Sequence, residues 1–247
     1  MSFAVSALYG PMPVGQAITL AERIALDVHG DRRAEGIVLS ASAHLRALRG
    51  DFTEARALYS RARETLEALG GPVMAATVSL DSARVELLAG DPVAAERELR
   101  RDYDVLEAIG ERYALSTLAG LLGYALLRQG RHDAAIAATE AAEHMAAADD
   151  VESQSLWRRV RAAAVTALGA PEEALPLASA AYDLVVDTDA PLMKAFALLD
   201  LGAVHAATGS LEEAQRAWQD ALALFEAKEA AVPAAMARDL LDLYAIA

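Results

Sequence analysis

The feature that most constrains the fold of this chain is a stretch that occurs five times. The first copy, LRALRGDFTEARALYSRARETLEALG, starts at Leu45, and the others start at Val85, Tyr124, Val165 and Ala203. Each copy has a glycine at Gly50, Gly90, Gly130, Gly169 or Gly209, and five residues later an alanine at Ala55, Ala95, Ala135, Ala174 or Ala214. A period of about 40 residues is typical of helical-repeat arrays, in which each unit packs against its neighbours.

A second series of turn-forming residues lies midway between these glycines, at Gly30, Gly70, Gly110, Asp149–Asp150 and Asp189. Two turns per period predict two helices of about 17 residues in each unit. We therefore expect residues 1–247 to form one quasi-linear array rather than separate domains. Its expected parts are a partial N-terminal unit (1–30), helix pairs at 31–70, 71–110, 111–149, 150–189 and 190–230, and a C-terminal capping helix (231–247).

The repeated alanine has a clear packing role. Two antiparallel helices approach closely only where one of them carries a small side chain, so each alanine is predicted to lie against the preceding helix. Four residues further on, Tyr59, Leu99 and Trp218 are expected to fill the gap between units, whereas Thr139 and Ala178 fill it less well. The composition agrees, because 55% of the residues are hydrophobic and only 5% are aromatic. Such values indicate closely packed helices rich in alanine and leucine.

The motif resembles the tetratricopeptide repeat, whose turn glycine, alanine and following aromatic residue are matched by Gly50–Ala55–Tyr59 and Gly209–Ala214–Trp218. An earlier Leu-Gly pair of that repeat is matched by Leu122–Gly123 and Leu201–Gly202. The usual repeat has 34 residues and a closing proline, so this chain departs from it in length and in that proline. The resemblance implies an all-α, tetratricopeptide-like, right-handed superhelical solenoid of antiparallel helix pairs. Its longer helices resemble the sensor arrays of large bacterial ATP-dependent transcription activators.

Three blocks resemble a narrower group of proteins. They are GPMPVGQAI at 10–18, VELLAGDPVAAERELR at 85–100 and DDVESQSLWRRVRA at 149–162. They are similar to the C-terminal arrays of actinobacterial signalling proteins that combine an adenylate/guanylate cyclase domain with a P-loop ATPase, and of related ATPase regulators. The resemblance implies a regulatory region of a longer protein. The P-loop pattern G-x-x-x-x-G-K-[ST] itself does not occur in the sequence.

Charge and composition exclude several functions. The net charge of −14 repels nucleic-acid phosphates and anionic lipids, so neither nucleic acid nor membrane is an expected partner. There is no cysteine for a thiolate metal site or a disulfide. The first residues lack a basic leader and a long apolar segment, so a cytoplasmic location is expected. The sequence leaves the oligomeric state open.

A search for catalytic chemistry is negative. No two of the five histidines have the spacing of metal ligands, and Glu140 and His144, four residues apart, are an ordinary helical pair. No nucleophile–base arrangement occurs. We therefore predict no enzymatic activity, no catalytic residue, no metal and no cofactor.

The first helix of each pair is expected to face a concave groove. Counting back from the turn glycines places these candidate partner-binding residues on the groove wall: His44, Leu80, Arg84, Thr117, Tyr124, Leu127 and Arg159. Arg84 and Arg159 are expected to have no packing role and to bind acidic or carboxylate groups. The alternative is that these residues are ordinary, partly exposed helix positions.

A second candidate cluster consists of Gln154, Trp157, Arg158 and Arg161. A tryptophan flanked by arginines is suited to hold an acidic or aromatic group. Alternatively, Trp157 packs between units and the arginines extend around it.

The sequence thus favours a non-catalytic protein–protein interaction or sensor module. Its partner is expected to be a protein or peptide, including a domain of its own parent chain. The alternative is a small-molecule sensor with its ligand near Tyr124 and Trp157. A small ligand requires a mostly apolar pocket with a few polar groups, whereas a peptide requires an open channel across several units.

Overall fold

The computed structural model describes residues 2–245, and within them the side chains of residues 6–71 and 73–245. Met1 and the last two residues of the predicted capping helix, 246–247, lie outside the described residues. All regular structure in the described part is helical. The helices are α1 (Ser2–Tyr9), α2 (Val14–Asp27), α3 (Arg32–Arg49), α4 (Phe52–Glu67), α5 (Pro72–Ala76), α6 (Val78–Leu88), α7 (Pro92–Ala108), α8 (Arg112–Arg128), α9 (His132–Met145), α10 (Val151–Ala167), α11 (Pro171–Asp183), α12 (Pro191–Ala207), α13 (Leu211–Ala227) and α14 (Ala231–Tyr244).

Consecutive helices pack as pairs, and the pairs stack in chain order. The pairs are α3 with α4, α6 with α7, α8 with α9, α10 with α11, and α12 with α13. The first helices of successive pairs also contact one another, from α3 through α6, α8 and α10 to α12. These first helices form an inner layer and the second helices an outer one. The prediction of an all-α helical-repeat solenoid is therefore confirmed.

The repeat motif is visible in the turn and in the helix contact that follows it. Gly50 and Gly209 end α3 and α12 with φ of 96° and 82°. This left-handed conformation favours glycine, because a side chain would clash with the backbone. The alanines five residues further on are all 0% exposed, at Ala55, Ala95, Ala135, Ala174 and Ala214.

Leucine at two of these alanines should destabilise the protein. We expect Ala55→Leu and Ala214→Leu each to lower the free energy of unfolding by about 1–3 kcal/mol, because a larger side chain must enter a filled helix contact. Ala57 on the exposed side of α4 provides the control, and Ala57→Leu should change little. Thermal and denaturant unfolding measure the difference. Equal stabilities of all three variants would contradict the proposed role of the alanines.

The second helices of the third and fourth pairs are shorter than the others. Helices α9 and α11 have 14 and 13 residues, whereas α4, α7 and α13 have 16 or 17. Pro176 lies inside α11 and removes one backbone donor there. Thr139 and Ala178, at the gap-filling position of these pairs, are nevertheless buried. The neighbouring helices therefore close around the smaller side chains.

The two ends of the solenoid meet, which the expectation of a quasi-linear array did not include. Helix α1 contacts α12, and α14 contacts α3. One core cluster joins Ala7, Leu8 and Val14 near the N-terminus to Trp218 and Phe225 near the C-terminus. These contacts bring the last pair back to the first. The periodicity of a sequence does not specify such closure, because the angle between successive pairs depends on how their side chains interlock.

Lys228 lies at the centre of this closing contact. It follows α13, is 1% exposed, and donates from Nζ to the carbonyl oxygens of Ala7 at 3.0 Å and Gly10 at 2.6 Å. Its own carbonyl oxygen accepts from the Val14 amide at 2.8 Å. Beside it, Glu229 accepts from the Gly15 amide at 3.2 Å. Burial lowers the pKa of Lys228 to about 8. The turn before α14 is thus bonded to the residues on either side of the α1–α2 turn.

Removal of the Lys228 amine should loosen this contact. Lys228→Met keeps the aliphatic stem but leaves two buried carbonyl groups without their donor, so we expect a loss of about 1–3 kcal/mol in the free energy of unfolding. Amide hydrogen exchange should accelerate in residues 2–13 and 228–240. The control is Lys194→Met, because the Lys194 side chain has no hydrogen bond or ion pair among the described residues. Unchanged exchange in Lys228→Met would contradict this role.

Candidate functional site

The closed solenoid surrounds a central cavity of roughly 840 Å³, including the part open to solvent. Its walls come from the inner helices α3, α6, α8, α10 and α12, and from α1 and α14 at the closing contact. The lining residues are Tyr9, His44, Arg84, Leu87, Leu88, Leu121, Tyr124, Arg128, Glu152, Ser155, Leu156, Arg159, Leu192, Met193, Phe196 and Met236. Half of these residues are leucine, methionine or phenylalanine, three of the others are arginines, and most of the cavity surface is apolar.

Four of the seven predicted groove residues line this cavity, namely His44, Arg84, Tyr124 and Arg159. The other three do not. The Thr117 hydroxyl is buried between α8 and α10, 2.7 Å from the Ser153 hydroxyl. Leu80 and Leu127 are partly buried and pack against the core formed by α6, α7 and α8.

The repeat pattern of the sequence does not identify most of the lining contributed by α10 and α12. The lining residues lie in the C-terminal halves of α3, α6 and α8, but in the N-terminal halves of α10 and α12. A fixed count back from the turn glycines reaches Ala163 and Ala203, which do not line the cavity, and passes over Glu152, Met193 and Phe196. Of these three missed residues, only Phe196 could have been recognised from the sequence, because it is aromatic.

Glu152 joins three parts of the chain at the cavity wall. It accepts a hydrogen bond from the Tyr9 hydroxyl of α1 at 2.9 Å and forms a short ion pair with Arg84 of α6. Burial raises the pKa of Tyr9 well above its ordinary value, so the hydroxyl remains a donor. The negative charge of Glu152 is therefore engaged by two donors from distant parts of the sequence.

A second group of bonds lies beside Arg84. The Ser40 hydroxyl donates to Asp81 at 2.7 Å, and His44 Nδ1 lies 3.6 Å from the same carboxylate. Burial lowers the pKa of His44, so the imidazole is neutral at pH 7. Burial opposes ionisation of Asp81 as well, but His44, Arg84 and Ser40 outweigh it and lower the pKa of Asp81. On this part of the wall, the neutral imidazole of His44 therefore lies beside the Asp81 carboxylate, which already accepts a hydrogen bond from Ser40.

Arg159 is also held by a carboxylate. Its Nε donates to Asp200 of α12 at 2.7 Å, and its guanidinium carbon lies 5.4 Å from the centre of the Phe196 ring. The side chains of Arg84 and Arg159 are only 14% and 12% exposed. The expectation that these two arginines have no packing role is wrong, because Arg159 ties α10 to the neighbouring inner helix α12, and Arg84 of α6 is paired with Glu152 of α10.

Charge reversal at Arg159 should therefore lower the free energy of unfolding. Arg159→Glu places two carboxylates together, and we expect a loss of about 3 kcal/mol, as for other ion pairs removed from a buried site. The double variant Arg159→Glu/Asp200→Arg should recover much of that loss. Chemical denaturation of the two variants measures the recovery, and equal instability of both would contradict a direct pairing.

Arg128 differs from the other two cavity arginines. It is the last residue of α8, it is exposed, and no carboxylate of residues 2–245 lies within 4.0 Å of it. Its guanidinium carbon lies 5.9 Å from the centre of the Tyr124 ring, and Nη1 donates to the Tyr124 hydroxyl at 3.3 Å. Arg128 thus places an unpaired positive charge at the rim of the cavity.

The second candidate cluster lies outside the cavity, between α10 and α9. Trp157 is 3% exposed, and its ring centre lies 4.1 Å and 4.4 Å from the guanidinium carbons of Arg158 and Arg161. Gln154 accepts from Trp157 Nε1 at 3.1 Å and from Arg158 at 2.5 Å. Arg161 donates to Thr139 and Glu143 of α9 at 3.1 Å and 2.7 Å. The four side chains are brought together, and their bonds favour the packing interpretation.

The described residues hold no group of three or more His, Asp or Glu side chains arranged for a metal ion. Across residues 2–245, none of the helices has the length and apolar character needed to cross a bilayer.

Comparison with known proteins shows similarity in structure but not in sequence. No protein-family model matches the chain, and no curated protein matches it. The crystal structure of BtubC (BKLC) from P. vanneervenii is similar at 17% identity and a TM-score of 0.60, over 87% of this chain and 89% of BtubC. Rap protein complexed with competence and sporulation factor is similar at 14% identity and a TM-score of 0.63, over 84% of this chain and 60% of Rap. At these identities the similarity is one of fold.

Proposed function

We propose that this protein is a non-catalytic sensor module. In this proposal a compact ligand binds in the central cavity, and the bound state is transmitted to a protein partner. That partner is a separate protein or another domain of a longer chain. The observation that carries the proposal is the cavity itself, because its apolar walls and few polar groups are typical of ligand-binding sites.

The shape of the cavity favours a compact ligand over an extended peptide. Tyr9 of α1 and Met236 of α14 belong to its lining, so the closing contact bounds the space that an open solenoid would leave as a channel. A ligand that touches both of these helices stabilises the closed form relative to any form in which the ends separate. Ligand binding and the position of the chain ends are thereby coupled.

The connection to signalling rests on the sequence. The blocks at 10–18, 85–100 and 149–162 resemble arrays of actinobacterial signalling proteins with cyclase and P-loop ATPase domains. In such a protein the array would regulate the catalytic domains through the position of its ends.

A second candidate is a protein-interaction module that binds a peptide. Rap, whose fold is similar, was crystallised in a complex with competence and sporulation factor. A solenoid of this kind therefore accommodates a binding partner, which supports the candidate at the level of the fold.

An uncharged apolar probe tests the cavity. N-phenyl-1-naphthylamine should bind with one site per chain and increase in fluorescence, because the lining is mostly apolar. Met193→Trp, which places a large side chain in the cavity, should reduce its affinity at least about tenfold, or about 1.4 kcal/mol. Hydrogen exchange of residues 2–13 and 231–240 should slow when the probe is bound.

Val93→Trp provides the matched control, since Val93 is 59% exposed on the outer helix α7. Circular dichroism and thermal unfolding verify that both variants fold. Absence of binding, or equal affinity in wild type and Met193→Trp, would rule out the cavity as the site.

A further inference from the structure

We infer that the ligand of the central cavity is a small amphipathic monoanion, with an apolar body in the cavity and a carboxylate bound by Arg128 and Tyr124. This inference rests on the proposed function, because it names the ligand of the same cavity. Three observations carry it: the sign of the charge on the cavity wall, the unpaired state of Arg128, and the position of Arg128 relative to the apolar lining.

Among the residues that line the cavity, positively charged groups outnumber negatively charged ones, although the chain as a whole is strongly negative. Its lining contains three guanidinium groups, at Arg84, Arg128 and Arg159, and one carboxylate, at Glu152. The whole chain carries a net charge of −14. Glu152 and Asp200 compensate Arg84 and Arg159, so the remaining charge on this mostly apolar surface is that of Arg128, which attracts an anion and disfavours a cation.

Only one of these guanidinium groups is available to a ligand. Arg84 is paired with Glu152, and Arg159 with Asp200. Arg128 has no carboxylate partner among residues 2–245. Its neighbour Tyr124 accepts a hydrogen bond from Arg128, so the proton of the Tyr124 hydroxyl remains available for donation. A guanidinium and a hydroxyl side by side match the two oxygens of a carboxylate.

The placement of these groups defines the orientation of the ligand. Arg128 is exposed where α8 ends, whereas Leu121, Leu156 and Leu192 of the lining are 4%, 9% and 2% exposed. An anionic group at Arg128 therefore remains near solvent, while an attached apolar chain is removed from water. One free guanidinium matches one negative charge, which favours a carboxylate over a doubly charged phosphate.

Binding of decanoate and decanol tests the inference, because the two differ mainly in charge. Isothermal titration at pH 7 and low salt should show decanoate binding at least about tenfold more tightly than decanol. Arg128→Gln should remove most of this preference and leave the affinity for decanol unchanged. Arg128→Lys should retain part of the preference for decanoate, because lysine keeps the positive charge but lacks the planar guanidinium group. Arg97→Gln, an exposed arginine on α7, serves as the control and should behave as wild type.

Three results would overturn the inference: no binding of decanoate, equal affinities for decanoate and decanol, or an unchanged preference in Arg128→Gln. A short leucine-ended peptide, as free acid and as C-terminal amide, forms the other arm. The assignment to a small molecule would be wrong if the free-acid peptide bound more tightly than decanoate and this binding required Arg128. The uncharged naphthylamine probe distinguishes these failures from that of the proposed function, because its binding requires the cavity but not Arg128.

Discussion

Contact between the N-terminal and the C-terminal helices, of α1 with α12 and of α14 with α3, gives the molecule its central cavity. Lys228 donates to carbonyl groups at the end of α1, and the apolar residues of α1 and α2 join the core of α12 and α13. Without this contact the inner helices would form an open groove. With it, the same helices surround a bounded space, so the candidate ligand site depends on residues more than two hundred positions apart in the chain.

The polar groups of the cavity follow from the cost of burying charge. A buried ion is stable only when it is paired and hydrogen-bonded. Arg84 and Arg159 therefore lie against Glu152 and Asp200, and these pairs connect inner helices that are not consecutive in sequence. Arg128 needs no carboxylate partner, because it lies exposed to water at the end of α8. The same arginine is consequently the one that a ligand can use.

The repeat motif predicted the local structure well, because its signals act over a few residues. Gly50 and Gly209 take the left-handed conformation that ends a helix, and Ala55 and Ala214 are fully buried against the preceding helix. For the site, the same count identified His44, Arg84, Tyr124 and Arg159 but not Glu152, Met193 or Arg128. It missed most of the lining from α10 and α12, because that lining lies toward the N-terminal ends of these helices, whereas in α3, α6 and α8 it lies toward the C-terminal ends. Arg84 and Arg159 were placed correctly, yet their ion-pair partners were not foreseen.

The sequence by itself determined the helix pairs, their turns and the closely packed alanines, since backbone conformation and helix contacts within a pair depend on residues close together in the chain. The tertiary structure decided the closure of the solenoid, the bounds of the cavity and the pairing of its charges. These depend on contacts between residues far apart in the chain, such as Lys228 with Ala7 and Arg84 with Glu152. Such contacts depend on the angles at which successive units pack, and a periodic sequence pattern carries no direct record of those angles.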